Sequence, residues 1–142
     1  MPSRKLMSLL MIAGFLVTSQ AATAQKATGL WRTPAMGGAT LSLEKCGPDL
    51  CARIVKIDGE TPQKPRLDEN NPDPARRGDR LVGKYFITGL KGGPTKWSKG
   101  KIYHPPTGKK VEGSLRLIDS RTIEVKACMF MMCRTSKLVR LG

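Results

Sequence analysis

From Gly29 onward the chain is cut into short runs in which apolar and polar residues alternate, and this pattern limits the fold more than any other feature. In ATLSLEK the apolar positions are Leu41 and Leu43; in GSLRLID they are Leu115 and Leu117; in TIEVKA, Ile123 and Val125. A period of two places such residues on one face of a β-strand. The candidate strands are 29–33, 39–46, 51–57, 81–88, 96–104, 109–117, 121–128 and 133–141. Turn signals separate them: Gly37-Gly38, Gly47-Pro48, Gly92-Gly93-Pro94, Pro105-Pro106-Thr107-Gly108 and Asp119-Ser120. No helical pattern longer than a turn or two intervenes. About eight short strands joined mostly by hairpins predict an all-β fold, a small closed up-and-down antiparallel barrel with no free sheet edge.

The first 24 residues read as a separate segment. Arg4 and Lys5 precede the apolar run LMSLLMIAGFLV, and Ala22 and Ala24 supply small residues ahead of Gln25. That is the pattern of a secretory signal peptide, with cleavage expected after Ala24. Residues 25–142 then form one exported domain with no further membrane-spanning run, and the periplasm is the expected compartment.

The four cysteines fit that setting. They form two pairs of equal spacing, Cys46/Cys51 and Cys128/Cys133. Three connectivities exist, and the spacing favours the local one. Read as four-residue hairpin loops, both pairs would face each other across antiparallel strands. Each short loop would contribute about 2 kcal/mol on the chain-entropy account. A four-cysteine zinc site is the rival reading; an oxidising compartment argues against it.

One connection is long. Residues 58–80 carry four prolines and almost no apolar residues, and a loop of this length in a compact domain calls for a role. Its LDENNPD stretch gathers Asp68, Asn71 and Asp73 ahead of Arg76 and Arg80. These oxygen ligands could suit calcium, but the order and central glycine of a calcium loop are missing. The stretch reads as a structural clasp or a barrel-mouth lid, with Asp68 or Asp73 paired to Arg76, Arg77 or Arg80.

Taken in order, GLWRTP, CGPDLCARIV, LDENNPDPARRGDRLVG, ITGL, WSKGKIYHPPTGK and a closing C-x-x-x-x-C-R resemble the small exported bacterial family catalogued as domain of unknown function 2147. The resemblance covers essentially all of residues 25–142. It implies a lipocalin-like barrel and no established activity. Gly29-Leu30-Trp31 matches the G-x-W that opens lipocalin barrels. By that likeness Trp31 closes the barrel floor and Arg140 lies across it. Two departures stand out. His104 occupies a position where the family more often has aspartate or asparagine, and no tryptophan lies near Leu138.

Catalytic motifs are absent. His104 is the single histidine, without a sequence neighbour to orient it, and no nucleophile elbow, two-histidine metal helix or phosphate loop is present. No enzyme activity and no cofactor are expected. The net charge of +14 favours anionic partners, and outside the cytoplasm envelope polymers and lipid surfaces rank ahead of nucleic acid. Lys96, Lys99, Lys101 and Lys109 form a candidate basic face, interleaved with Trp97 and Tyr103. The plainer reading puts the lysines outward in water and the aromatics inward.

The second cysteine pair encloses Met129, Phe130, Met131 and Met132. Three roles are open to this apolar tip. It could cap the core, which ranks first, stand exposed for a ligand or partner, or bind Cu(I) with His104. The chain as a whole reads as a non-catalytic binding protein with a small apolar or amphipathic ligand in the barrel. The alternative is an envelope interaction module that binds anionic polymer or lipid through its basic face.

Overall fold

The computed structural model describes residues 26–142 together with Gly14 and Leu16; the expected signal segment otherwise lies outside the described residues. Eight strands follow one another: β1 (Gly29–Thr33), β2 (Ala39–Cys46), β3 (Asp49–Ile57), β4 (Tyr85–Gly92), β5 (Lys96–His104), β6 (Lys109–Asp119), β7 (Thr122–Met129) and β8 (Met132–Arg140). Each pairs antiparallel with the next, and β8 returns to β1. The all-β up-and-down barrel expected from the alternation is the observed fold. Only two short 3-10 turns, Ala35–Gly37 and Pro74–Arg76, interrupt it.

Antiparallel order sorts the connections between two ends. The floor receives the β2–β3, β4–β5 and β6–β7 turns and both ends of the barrel chain. The mouth receives the β1–β2, β3–β4, β5–β6 and β7–β8 connections. Large side chains fill the floor half: Trp31, Leu43, Trp97, Leu115, Leu117, Ile123 and Leu138 are buried there. The interior also needs two positions without a side chain. Gly100 and Gly113 face each other across β5 and β6. A Cβ on either would strike Leu90 or Ile102, which lie across the space they leave.

Three local expectations change. The fourth strand begins at Tyr85, not at residue 81. Gly83 adopts φ 95°, and Leu81–Lys84 turn back so that Gly83 N–H donates to Ile54 C=O at 2.7 Å. Leu81 is buried in the core from outside any strand. Second, Cys46 does not face Cys51. Gly47 at φ 61° followed by proline makes a two-residue turn, so Cys46 pairs with Asp49 and Cys51 with Glu44. The disulfide is therefore diagonal, with Cα atoms 6.0 Å apart. Third, the barrel is not free of edges. β8 pairs with β1 at only two positions, Trp31–Arg140 and Arg32–Val139, against eight with β7. Pro34 follows Thr33 without an amide proton, and the chain leaves the sheet there. Met132–Leu138 consequently have no strand partner on their β1 side.

Candidate binding cavity at the barrel mouth

The mouth half is hollow because its inward side chains are smaller or polar. Going up β8 from the floor, the inward row is Leu138, Ser136, Arg134 and Met132; on β7 it is Ile123, Val125, Ala127 and Met129. The paired positions shrink from Leu138–Ile123 to Ser136–Val125 and Ala127–Arg134. A cavity of about 780 Å³ opens above the packed floor. Ile87, Ile102, Val111 and Val125 supply its apolar walls, and Thr33, Pro34 and Ala35 border the side where the β1–β8 seam stops. Small-molecule sites usually span roughly 300–1,000 Å³ with mostly apolar walls and a few polar groups. The polar groups here are Thr33, Tyr103, His104, Arg134 and Ser136.

The apolar tip stands at this rim and does not cap the core. Phe130 is 97 % exposed and Met131 98 %; Met129, Phe130 and Met132 border the cavity, and Met131 does not. Cys128 and Cys133 are directly opposed, Cα to Cα 4.0 Å, and the turn beyond them has only Phe130 and Met131 at its end. A two-residue turn of this kind needs φ > 0 at its first position. Phe130 supplies it at φ 56°, a conformation costing a residue with Cβ about 1–2 kcal/mol. His104 reaches the same cavity, but its Nδ1 lies 2.9 Å from Thr107 Oγ1, and Met131 points away into solvent. The proposed copper set is therefore not gathered. Among the described residues, the one cluster of metal-ligand types is Glu44, Cys46 and Cys51, whose sulfurs are joined to each other.

The 58–84 connection fastens onto the outside of the mouth through one buried acid. Asp68, 1 % exposed, accepts from Tyr103 Oη at 2.5 Å and from Asn71 Nδ2 at 2.7 Å, and Lys84 Nζ lies 3.3 Å away. Burial alone would push the Asp68 carboxyl up; the bonds from Tyr103, Asn71 and Lys84 outweigh it and hold the group below the usual carboxylate range. Tyr103 is pushed up to about 12 by its burial and by the carboxylate it serves. The Asn70 backbone packs so closely on Gly108 that a Cβ there would overlap its carbonyl oxygen. Asp73 caps the Pro74–Arg76 turn by accepting from Ala75 N–H at 3.0 Å, and Arg76 lies 4.0 Å from it. Arg80 pairs with Glu60, and Arg77 donates to the Asn71 carbonyl at 2.9 Å. Asp68 thus takes a lysine and a tyrosine as partners, not the arginines. Beside this segment a second, polar groove of about 840 Å³ runs along the outer face, bordered by Arg76, Lys84, Lys101 and Lys110.

At the floor, the Arg140 guanidinium carbon lies 4.3 Å from the Trp31 ring centroid. Its nitrogens donate to Ser120 C=O at 2.7 Å, to Thr28 C=O at 3.0 Å and to Lys26 C=O. Trp31 Nε1 donates to Ala27 C=O at 2.8 Å, so every polar atom of the pair is used in closing this end. Lys96, Lys99 and Lys109 are exposed, and Lys101 lies 3.6 Å from Glu112.

Residues 29–140 match the family described as uncharacterized protein conserved in bacteria, DUF2147. The chain belongs to this family. The fold of this DUF2147 protein is also similar to that of HP1028 from Helicobacter pylori, which belongs to the lipocalin family. The TM-score is 0.72 at 20 % identity, over 81 % of this chain and 82 % of the other. At that identity the likeness concerns the barrel alone. No curated protein sequence matches the DUF2147 chain.

Three residues of the mouth were not singled out in the sequence: Tyr103 as the partner of Asp68, Lys84, and Arg134. Arg134 was within reach. It shares parity with Ser136 and Leu138 on the last strand, so the alternation that sends Leu138 inward sends Arg134 inward too. Lys84 lies in a turn, where no periodicity announces a direction.

Proposed function

We propose that this protein is an exported, non-catalytic binding protein that carries a small apolar or amphipathic ligand in the mouth of its barrel. The observation that carries this reading is the cavity of about 780 Å³ above the floor, apolar-walled and open at one end. Eight-stranded barrels are either filled by side chains or hold one small ligand, and the inward residues of β7 and β8 favour the second case. The exposed Phe130–Met131 tip at its rim suits an adaptable contact with apolar material. Two closed disulfides fit an oxidising compartment, in keeping with the signal-like first 24 residues. A catalytic role finds little support: His104 has no carboxylate partner among the described residues, and Asp68 is committed to the clasp. We read Asp68, Asn71 and Asp73 as a clasp that holds the mouth in shape, and Trp31 with Arg140 as the closure of the floor.

Native mass spectrometry of the oxidised protein isolated from the periplasm tests this. An added mass that leaves on denaturation is the expected result. A bare protein that also fails to take up any single-tailed amphiphile in vitro would overturn the carrier reading.

A second reading rests on a separate surface. Lys96, Lys99 and Lys109 are exposed with no acidic partner among the described residues, in a chain of net charge +14. They suit binding to an anionic envelope polymer or lipid surface. Such binding should fall steeply with salt and be lost when Lys96, Lys99 and Lys101 are replaced by Glu, whereas cavity binding should survive both changes.

A further inference from the structure

The cavity contains one fixed charge that nothing among the described residues answers. Arg134 sits on β8 opposite Ala127, in line with Met132, Ser136 and Leu138 on the inward face, and lines the cavity. It makes no ion pair and no side-chain hydrogen bond among the described residues. Several other arginines do otherwise: Arg32, Arg53, Arg80, Arg116 and Arg140 each have a carboxylate or carbonyl partner. Among the described residues no aspartate or glutamate lines the cavity. Ser136 and His104 add donors in the same space. Below Arg134 the walls are mostly apolar, with Ile87, Ile102, Val111, Val125 and Leu138 around Ser136, and beside it β8 has an unpaired edge. A guanidinium halfway between water and an apolar chamber is built to hold a flat, forked anion while an aliphatic chain runs inward.

We propose that the ligand of this cavity is a single-tailed anionic amphiphile, with its carboxylate or phosphate head on Arg134 and its tail directed toward the floor. The assignment rests on the carrier reading above and adds the charge and polarity of the cargo. Arg134 is the specificity-determining residue. Apolar burial supplies affinity for any tail, and the guanidinium selects among heads. A neutral head would leave it unpaired, and a cationic head would be repelled by it.

Calorimetric titration of the oxidised exported protein with dodecanoate, dodecyl phosphate, dodecan-1-ol and dodecylammonium tests this, with Arg134→Gln alongside. Arg134 makes no bond that the fold needs, and equal melting temperatures for the two proteins check that the variant is folded. The expected result is that the better of the two anions binds about tenfold tighter than the alcohol, with the ammonium weakest. That anion identifies the head. Arg134→Gln should erase the preference by weakening binding of the anion, while Arg134→Lys should keep part of it. Equal binding of acid, phosphate and alcohol by the native protein, or a preference that persists in Arg134→Gln, would overturn the role of Arg134 and leave the carrier reading intact. Binding of none of the four would overturn both.

Discussion

The two ends of this barrel are made from the same materials and finished in opposite ways. Each has a hairpin with cysteines five residues apart. At the floor, Gly47 and Pro48 make a compact turn, Cys51 is buried, and nothing large projects beyond the disulfide. At the mouth, the disulfide joins directly opposed residues and holds out Phe130 and Met131, two of the most exposed apolar side chains described. Cysteine spacing therefore does not decide register; the turn does. Glycine is free to take positive φ, and at the floor the turn falls where Gly47 lies, one residue before the centre of the cysteine pair. At the mouth no glycine is available, and the turn is centred between the cysteines with Phe130 bearing the strain. Strain at an exposed aromatic is hard to explain by stability alone, and it accords with the binding role proposed for the mouth.

This contrast can be broken most forcefully at the floor. Trp31→Ala should cost about 3–5 kcal/mol in denaturant unfolding, because it empties a fully buried site and removes the face on which Arg140 lies. A loss below about 1 kcal/mol would mean the floor is not the structural end. A smaller effect is expected at the clasp. Tyr103→Phe removes one donor from buried Asp68 and should cost about 1–3 kcal/mol. It should also change the pH profile. Tyr103 titrates higher when folded, near 12, than when unfolded, near 10, so its contribution is complete below about pH 10 and disappears as pH rises toward 12. Thermal melts of the native protein should show that alkaline loss, and the variant should lack it. Asp68 has the opposite sign: held low when folded, it stabilises above about pH 4 and ceases to as pH falls below that. The smallest change is expected at the tip. Phe130→Gly should leave stability equal or raise it by about 1 kcal/mol, since the residue is exposed and in a backbone region glycine occupies freely. A loss of 2 kcal/mol or more would show that the ring packs on the mouth and would erase the distinction between the two ends.

Most of the barrel could be read from the sequence because alternation is a local property. Leu115 and Leu117, or Ile123 and Val125, reveal their face two residues at a time, and Gly47-Pro48 marks its turn without help from distant residues. The mouth was harder for reasons that are also physical. Whether the barrel is hollow depends on side-chain volumes summed across β7 and β8, which no single strand displays. The LDENNPD segment could be picked out as a fastening, but its buried anchor, Tyr103 on β5, lies 35 residues from Asp68. Arg134 is legible by its parity with Ser136 and Leu138 on β8.

The short seam between the first and last strands has a consequence for timing. Two residue pairs, one bond from Leu141 N–H to Leu30 C=O at 2.9 Å and the Arg140 side-chain bonds to Thr28 and Lys26 hold the circle closed. Opening so few bonds is far less costly than unfolding the molecule. Amides along β8 that face β1 should exchange with heavy water well before those of β2 and β3. On the carrier reading proposed above, cargo would pass at the unpaired β8 edge beside Arg134, and not by unfolding of the barrel.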